Sequence, residues 1–232
     1  MMRMNLVKVF IAGAALILSS TTAQATDVAP DALAKTTTNE VLEIIKRDQS
    51  IQAGNQKKVL ELVEAKVLPH FDFMHMTKLA VGKNWARATP AQQQALVKEF
   101  KTLLVRTYSS ALSSYKNQTI DFKPLKMAPT DTDVTVKTEV KQPGGKPIPI
   151  DYSMEKQSDG WKVYDVAVDG VSLVTNYRGS FNTEIRKSGI DGLIKTLANK
   201  NQNSSGGSDP KPVENKPMDK NKPMDKDDHP GK

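Results

Sequence analysis

The amino-acid sequence predicts an α+β domain, a curved antiparallel sheet with helices across it, and three observations carry that prediction. Apolar residues recur at helical spacing up to Tyr115, the period drops to two between Thr119 and Val168, and short helical segments return from Val171 onward. Helices, then strands joined by hairpin turns, then helices again keep the two element types apart along the chain, which is the α+β arrangement. A strongly bent sheet with helices across its concave face makes a cone with an apolar interior.

The first helix is expected around Val41, Leu42, Ile44 and Ile45. A second follows around Val59, Leu60, Val63 and Val67, with Gly54-Asn55 between the two and Pro69 as its stop. A shorter helix is predicted from Asp72 to Val81, with Phe73, Met76 and Leu79 on one side and Gly82 at its end. Thr89-Pro90-Ala91-Gln92 then combines an N-cap, a proline at the first helical position and a capping-box glutamine. The helix it opens carries Leu96, Phe100, Leu103, Leu104, Tyr108, Leu112 and Tyr115 as one long apolar stripe.

Strands are expected at Thr119 to Lys126, Asp133 to Lys141, Lys146 to Lys156 and Trp161 to Val168. Val134, Val136, Thr138 and Val140 alternate with polar residues, as do Ile148, Ile150, Tyr152 and Met154. Gly144-Gly145 and Asp159-Gly160 are turn signals, so consecutive strands should pair as antiparallel hairpins. In the last strand Tyr164, Val166 and Val168 are predicted to share a face. Three short helical pieces should close the domain, Val171 to Tyr177, Phe181 to Arg186 and Asp191 to Leu197, broken at Gly179 and Gly189.

The flanks differ in kind. Arg3 and Lys8 precede and bound a short apolar run from Val9 to Leu18, and Ala23-Gln24-Ala25 supplies a small-x-small cleavage pattern. Residues 1–25 therefore read as a secretory signal peptide, because the run is about half the ~20 residues a membrane span needs. With no cysteine in an exported chain, a hydrophobic core rather than disulfides must hold residues 26–200 together as one domain. Residues 201–232 repeat Asn-Lys-Pro-Met-Asp-Lys and hold too few apolar side chains to offset their ordering entropy, so they are expected to be disordered. Deleting this tail should leave folding and any binding by the domain intact; a fall in melting temperature beyond roughly 5 °C would contradict that.

The formal charge is +7, and removal of Arg3 and Lys8 with the leader lowers it to +5. Six lysines balance six acidic residues in the tail, so the excess sits on the globular part. Export argues against nucleic acid as the partner of that charge. An anionic membrane surface or an acidic protein suits it, with plain solubility as the alternative.

No catalytic pattern stands out. His70 and His75 are five residues apart and so point roughly 140° apart around a helix, and no thiol is present to complete a zinc site. No metal is expected. Gly170-Val171-Ser172-Leu173-Val174 begins like a nucleophile elbow but has Val174 where the closing glycine belongs. Asp165 and Asp169 flank the end of the last strand, where Asp169 is well placed to cap the following helix, although either could serve as a base in a pocket.

The segment from Gly160-Trp161-Lys162-Val163-Tyr164-Asp165 through Gly170-Val171-Ser172-Leu173-Val174-Thr175-Asn176-Tyr177-Arg178 resembles the signature of the MlaC family. Phe181, the run Gly189-Ile190-Asp191-Gly192-Leu193-Ile194, Pro69-His70-Phe71-Asp72-Phe73 and Val81-Gly82-Lys83-Asn84-Trp85 extend the likeness over roughly Asp31 to Leu197. The resemblance implies a sheet of the nuclear-transport-factor type with helices enclosing an apolar lipid cavity. It implies a soluble periplasmic carrier that moves phospholipid between the outer and inner membranes of a Gram-negative envelope. Its partners would be an outer-membrane lipoprotein–porin complex and an inner-membrane ABC transporter. The carrier would be a monomer and no enzyme, with no cofactor and phospholipid only as cargo.

Three readings compete: an enzyme on the same scaffold using Asp165, Asp169 or Tyr164 as acid or base, a carrier of hopanoid or sterol-like lipids, and a chaperone for apolar polypeptides. For a lipid cavity the candidate wall residues are Phe73, Met76 and Leu79 from the short helix, and Leu104 and Tyr108 from the long one. The strands add Tyr152, Tyr164, Val166 and Val168, and the segment after them adds Val171, Leu173 and Val174. Any of these could instead fill solid core, and the sequence leaves that open.

Overall fold

The computed structural model describes residues 28–203; the expected leader and all but the first three residues of the expected tail lie outside them. Three helices come first, α1 (Pro30–Arg47), α2 (Gln49–Gln52) and α3 (Gln56–Leu62). The chain leaves α3 through a π turn, Val63–Val67, and a 3₁₀ turn, Leu68–His70, where Pro69 stands. Helix α4 (Phe73–Val81) is capped by Asp72, whose carboxylate accepts from the His75 amide at 2.8 Å, and it ends at Gly82 with φ +61°. A 3₁₀ stretch, Gly82–Arg87, leads to α5 (Pro90–Ser113). The predicted capping box is present there: Gln92 N donates to Thr89 Oγ1 at 3.2 Å, and Thr89 N to Gln92 Oε1 at 3.0 Å.

Five antiparallel strands follow in sequence order across the sheet: β1 (Thr119–Phe122), β2 (Asp133–Lys141), β3 (Ile148–Gln157), β4 (Gly160–Val168) and β5 (Val171–Ser172). β1 is shorter than its sequence suggests, since Pro124 has no amide to offer the ladder. β5 replaces the predicted start of the last helix. Asp169 and Gly170 both take positive φ, +50° and +77°, which is the two-residue hairpin turn whose twist matches the strands it joins. Val171 therefore folds back on Val168, and α6 (Leu173–Asn203) begins two residues later than expected.

Gly179 does not break α6. A glycine inside a helix costs only about 1 kcal/mol, and packing on both sides outweighs that. Gly189 does interrupt it, with φ +73° and ψ −177°. At the far end Asn201 is buried and donates to the Glu99 carbonyl and carboxylate at 3.0 and 2.8 Å. The helical domain thus runs past Lys200, and a tail truncation belongs after Asn203.

Three apolar clusters hold these elements. The largest joins α4, α5 and α6 around fully buried Phe100, whose ring meets those of Tyr177 and Phe181 edge-on at 5.0 and 5.1 Å. A second joins α1, α2 and α3 to the C-terminal end of α5. The third lies between the sheet and the start of α1, with Phe71 shared between it and the first. Beyond the two residues of β5, the outer edge of β4 is covered by the chain entering α4: Phe71 bridges to Val163, and Asp72 N donates to the Val163 carbonyl at 2.9 Å.

Candidate functional site

Strand register divides the sheet into two unlike faces, because residues opposite one another in neighbouring strands point the same way. Val134, Val136 and Thr138 of β2 face Met154, Tyr152 and Ile150 of β3. Those in turn face Val163, Val166 and Val168 of β4. This face is apolar almost throughout. The opposite one carries Asp133, Thr135 and Lys137 across from Glu155, Ser153 and Asp151.

The apolar face is sealed along β2 from Val134 to Thr138 and at one end of β3 and β4, and it is more open over the rest of β3 and β4. Val134, Val136, Met154, Trp161 and Val163 are buried, with Leu33 and Ala34 of α1 and Phe71 packed against them. Toward the other end Ile150, Tyr152, Val166 and Val168 are only half-buried. At the rim Ile148 and Val171 are 36% and 38% exposed. A graded apolar wall with an open mouth is what an elongated apolar ligand requires. Burial pushes the Tyr152 phenol up from its ordinary range, outweighing the opposite pull of its bond to Thr138, so it stays a neutral part of the wall.

The expectation that Tyr164 shares a face with Val166 and Val168 is not met. The β3–β4 register shifts between Ser153 and Met154, so Ser153 faces Asp165 while Met154 faces Val163, and Tyr164 is the extra residue of a bulge. Its ring stacks on His75 at 4.6 Å and its hydroxyl donates to Asp133 at 2.8 Å, which places it with the polar face. Burial and the Asp133 carboxylate push its phenol up to about 12.

Asp165, not Asp169, caps α6. One carboxylate oxygen accepts from the amides of Val166 and Val174 at 2.9 and 3.1 Å, and the other from Ser172 Oγ at 2.5 Å. Ser172 in turn accepts from the Thr175 amide at 3.0 Å, so the would-be nucleophile is a helix cap. Asp169 is a turn residue. The three acid–base candidates of the enzyme reading thus stand at a bulge, a cap and a turn, none over the apolar face. Asp165→Ala should lower stability by about 2 kcal/mol, seen as an earlier urea midpoint, since it frees a buried amide as well as removing the cap. An unchanged midpoint would show that Ser172 caps the helix alone.

The other helix-borne candidates lie in the helical layer. Met76, Leu104 and Val174 are buried in the α4–α5–α6 cluster, and Phe73, Leu79 and Tyr108 are half-buried against it. Burial and the neighbouring Tyr177 push the Tyr108 phenol up to about 12. Leu173 is half-buried at the start of α6. Of the twelve candidates the apolar sheet face therefore unites Tyr152, Val166, Val168 and Val171. Ile148 and Ile150 belong beside them, and their alternation with Tyr152 was the signal that pointed there.

One polar cluster escaped the sequence. Asp72, His75 and Glu155 bring ligand-type atoms within 4.8 Å of one another. Each is already engaged: His75 Nδ1 lies 3.0 Å from Glu155, and Gln157 donates to both Asp72 and Glu155, at 2.6 and 2.8 Å. The group is a hydrogen-bonded seam fastening α4 to the polar face, and His70 takes no part in it.

The chain is 29% identical to the toluene tolerance protein ttg2D of Pseudomonas putida over 72% of its own length and 78% of the relative's. It is 24% identical to the intermembrane phospholipid transport system binding protein MlaC of Haemophilus influenzae, over 74% and 81%. A phospholipid-binding protein from Ralstonia solanacearum, solved in complex with a phospholipid, superposes with a TM-score of 0.71 at 41% identity, covering 75% of this chain and 98% of that one. The family model for the MlaC protein matches residues 35–199, and the chain belongs to the MlaC family.

Proposed function

We propose that this protein is a periplasmic phospholipid carrier, with the acyl tails held against the open part of the apolar sheet face. The observation that carries the proposal is the incompletely covered wall of Ile150, Tyr152, Val166 and Val168 with its exposed rim at Ile148 and Val171. The relative solved with a phospholipid supports the same ligand for this fold. Among the described residues no helix is long and apolar enough to cross a membrane.

The energetics explain why such a wall is needed. A diacyl lipid has about 30 methylenes, each worth ~0.8 kcal/mol when removed from water, so a bare crossing of the periplasm is prohibitive. The carrier must offer a surface comparable to a bilayer interior without holding the tails much more tightly, or release fails. The wall itself is apolar almost throughout, so head-group discrimination should be weak. Donor and acceptor would be an outer-membrane lipoprotein–porin complex and an inner-membrane ABC transporter, engaged by a monomeric carrier with no catalytic step of its own.

Mass spectrometry of organic extracts from the purified protein tests the ligand class. The expected result is phospholipid of mixed head groups near one molecule per chain. Polycyclic lipid in its place would move the assignment to a hopanoid-type carrier, and extracts free of lipid would contradict the carrier reading.

A further inference from the structure

A concavity lies within the helical layer, with no residue of the apolar sheet face in its lining. Helix α4, the 3₁₀ stretch after it and the first turns of α6 line an open cleft of about 540 Å³. Its lining includes Lys78, Lys83 and Arg178 at the polar positions and Leu79 and Trp85 as apolar surface, and no carboxylate. Both lysines are exposed, and neither forms an ion pair among the described residues. Arg178 is held in place by its Nε, which donates to the Leu79 carbonyl at 2.8 Å. That single bond fixes the side chain and leaves its terminal nitrogens for a partner.

Two further features extend the cleft outward. Asn182, part of its lining, accepts from Asn84 Nδ2 at 2.8 Å, and Asn84 is itself within 3.4 Å of a fourth cation, Arg87. On α4, one turn before Lys78 and on the same side, Met74 is 49% exposed. Unpaired cations around half-buried apolar side chains, beside an exposed methionine, are the makings of a docking surface rather than of core.

We propose that this cleft seats an acidic segment of a partner protein, whose carboxylates meet Lys78, Lys83 and Arg178 while an apolar side chain rests on Leu79 and Trp85. A flat membrane surface would touch only the lysine-bearing rim and leave the floor unfilled, whereas a protruding segment fills both. The fork of Arg178 suits a carboxylate, and the excess positive charge of the globular domain steers such a partner toward it. The inference builds on the carrier reading in one respect: a carrier must be seated at its donor and its acceptor.

The test uses the lipid-loaded, full-length protein and the two membrane complexes proposed above, each in nanodiscs of neutral lipid. Lys78→Gln/Lys83→Gln/Arg178→Gln is compared with the charge-matched Lys57→Gln/Lys116→Gln/Lys126→Gln, and Lys78→Gln/Lys83→Gln serves where loss of the Arg178 bond lowers stability. The cleft variant should bind at least one complex about tenfold more weakly at physiological salt, with a flattened salt dependence, while the control changes less than about twofold. Equal effects of the two triple variants would overturn the proposal. So would a cleft variant that binds both complexes normally but loses affinity for phosphatidylglycerol vesicles, which would make the site a membrane contact. Bound phospholipid should be the same in all variants; its absence from every one of them, wild type included, would instead count against the carrier reading.

Discussion

Val166→Asp is expected to give a folded protein that no longer co-purifies with phospholipid. Val166 stands opposite Tyr152 on the apolar face, in the part of the wall that is half-buried rather than sealed. With lipid bound, the new carboxylate would lie against acyl chains, where an unpaired charge costs several kcal/mol or must take up a proton. With no lipid on the half-buried wall, water can hydrate the carboxylate, and the fold loses little. Val136→Asp is the matching contrast. Val136 is fully buried on β2, across from Tyr152 on the same face, so its carboxylate has no water to reach and the domain should unfold. Lipid per folded molecule, measured after gel filtration, separates the outcomes. A Val166→Asp protein that unfolds would put that position in the core, and one that carries lipid at the wild-type ratio would place the tails elsewhere.

The largest loss of stability is expected from Phe100→Ala. Phe100 is fully buried at the centre of the helical cluster, where its ring contacts Tyr177 and Phe181. Truncation leaves a cavity between three helices that cannot easily close, at a cost of about 4 kcal/mol. For a domain of this size that lowers the melting temperature by roughly 10 °C. The lipid content of the protein that remains folded should not change, because Phe100 lies in the helical cluster and takes no part in the sheet cluster, which shares Phe71 with it. A shift below roughly 3 °C would mean that the helices repack around the gap. Stability kept with lipid lost would make Phe100 a cavity residue.

Much of this architecture was legible in the sequence because it rests on local chemistry. Thr89, Pro90 and Gln92 set the start of α5 by satisfying amides within one turn, and the alternation of Val134, Val136 and Thr138 marks β2 to the residue. The bulge at Tyr164 was hidden, because it arises from how β4 must shift to pair with β3, and a strictly alternating strand gives no sign of it. That one extra residue moved Tyr164 to the polar face and changed the membership of the wall. The short strand β5 was hidden for a similar reason: Asp169-Gly170 reads equally well as a helix entry or a hairpin turn, and the register with Val168 decides. Candidate residues on helices were the least legible. Apolar spacing identifies a buried face, but whether Met76 or Val174 meets another helix or a ligand depends on which element lies across from it. The basic cleft combines residues a hundred positions apart, Lys78 and Arg178, and only the packing of α4 against α6 unites them.

The central claim is that the acyl tails lie on the apolar sheet face, and photo-crosslinking from the lipid tests it most directly. A diacyl phospholipid with a diazirine near the end of one acyl chain is loaded into the full-length protein, irradiated, and the attachment sites are read by peptide mass spectrometry. Attachment is predicted on β3 and β4 at Ile150, Tyr152, Val166 and Val168, and not at Tyr164 or Asp165 on the other side of the same strand. Label concentrated on Met76, Leu104 and Val174 with the sheet untouched would contradict the account, since the tails would then lie among the helices.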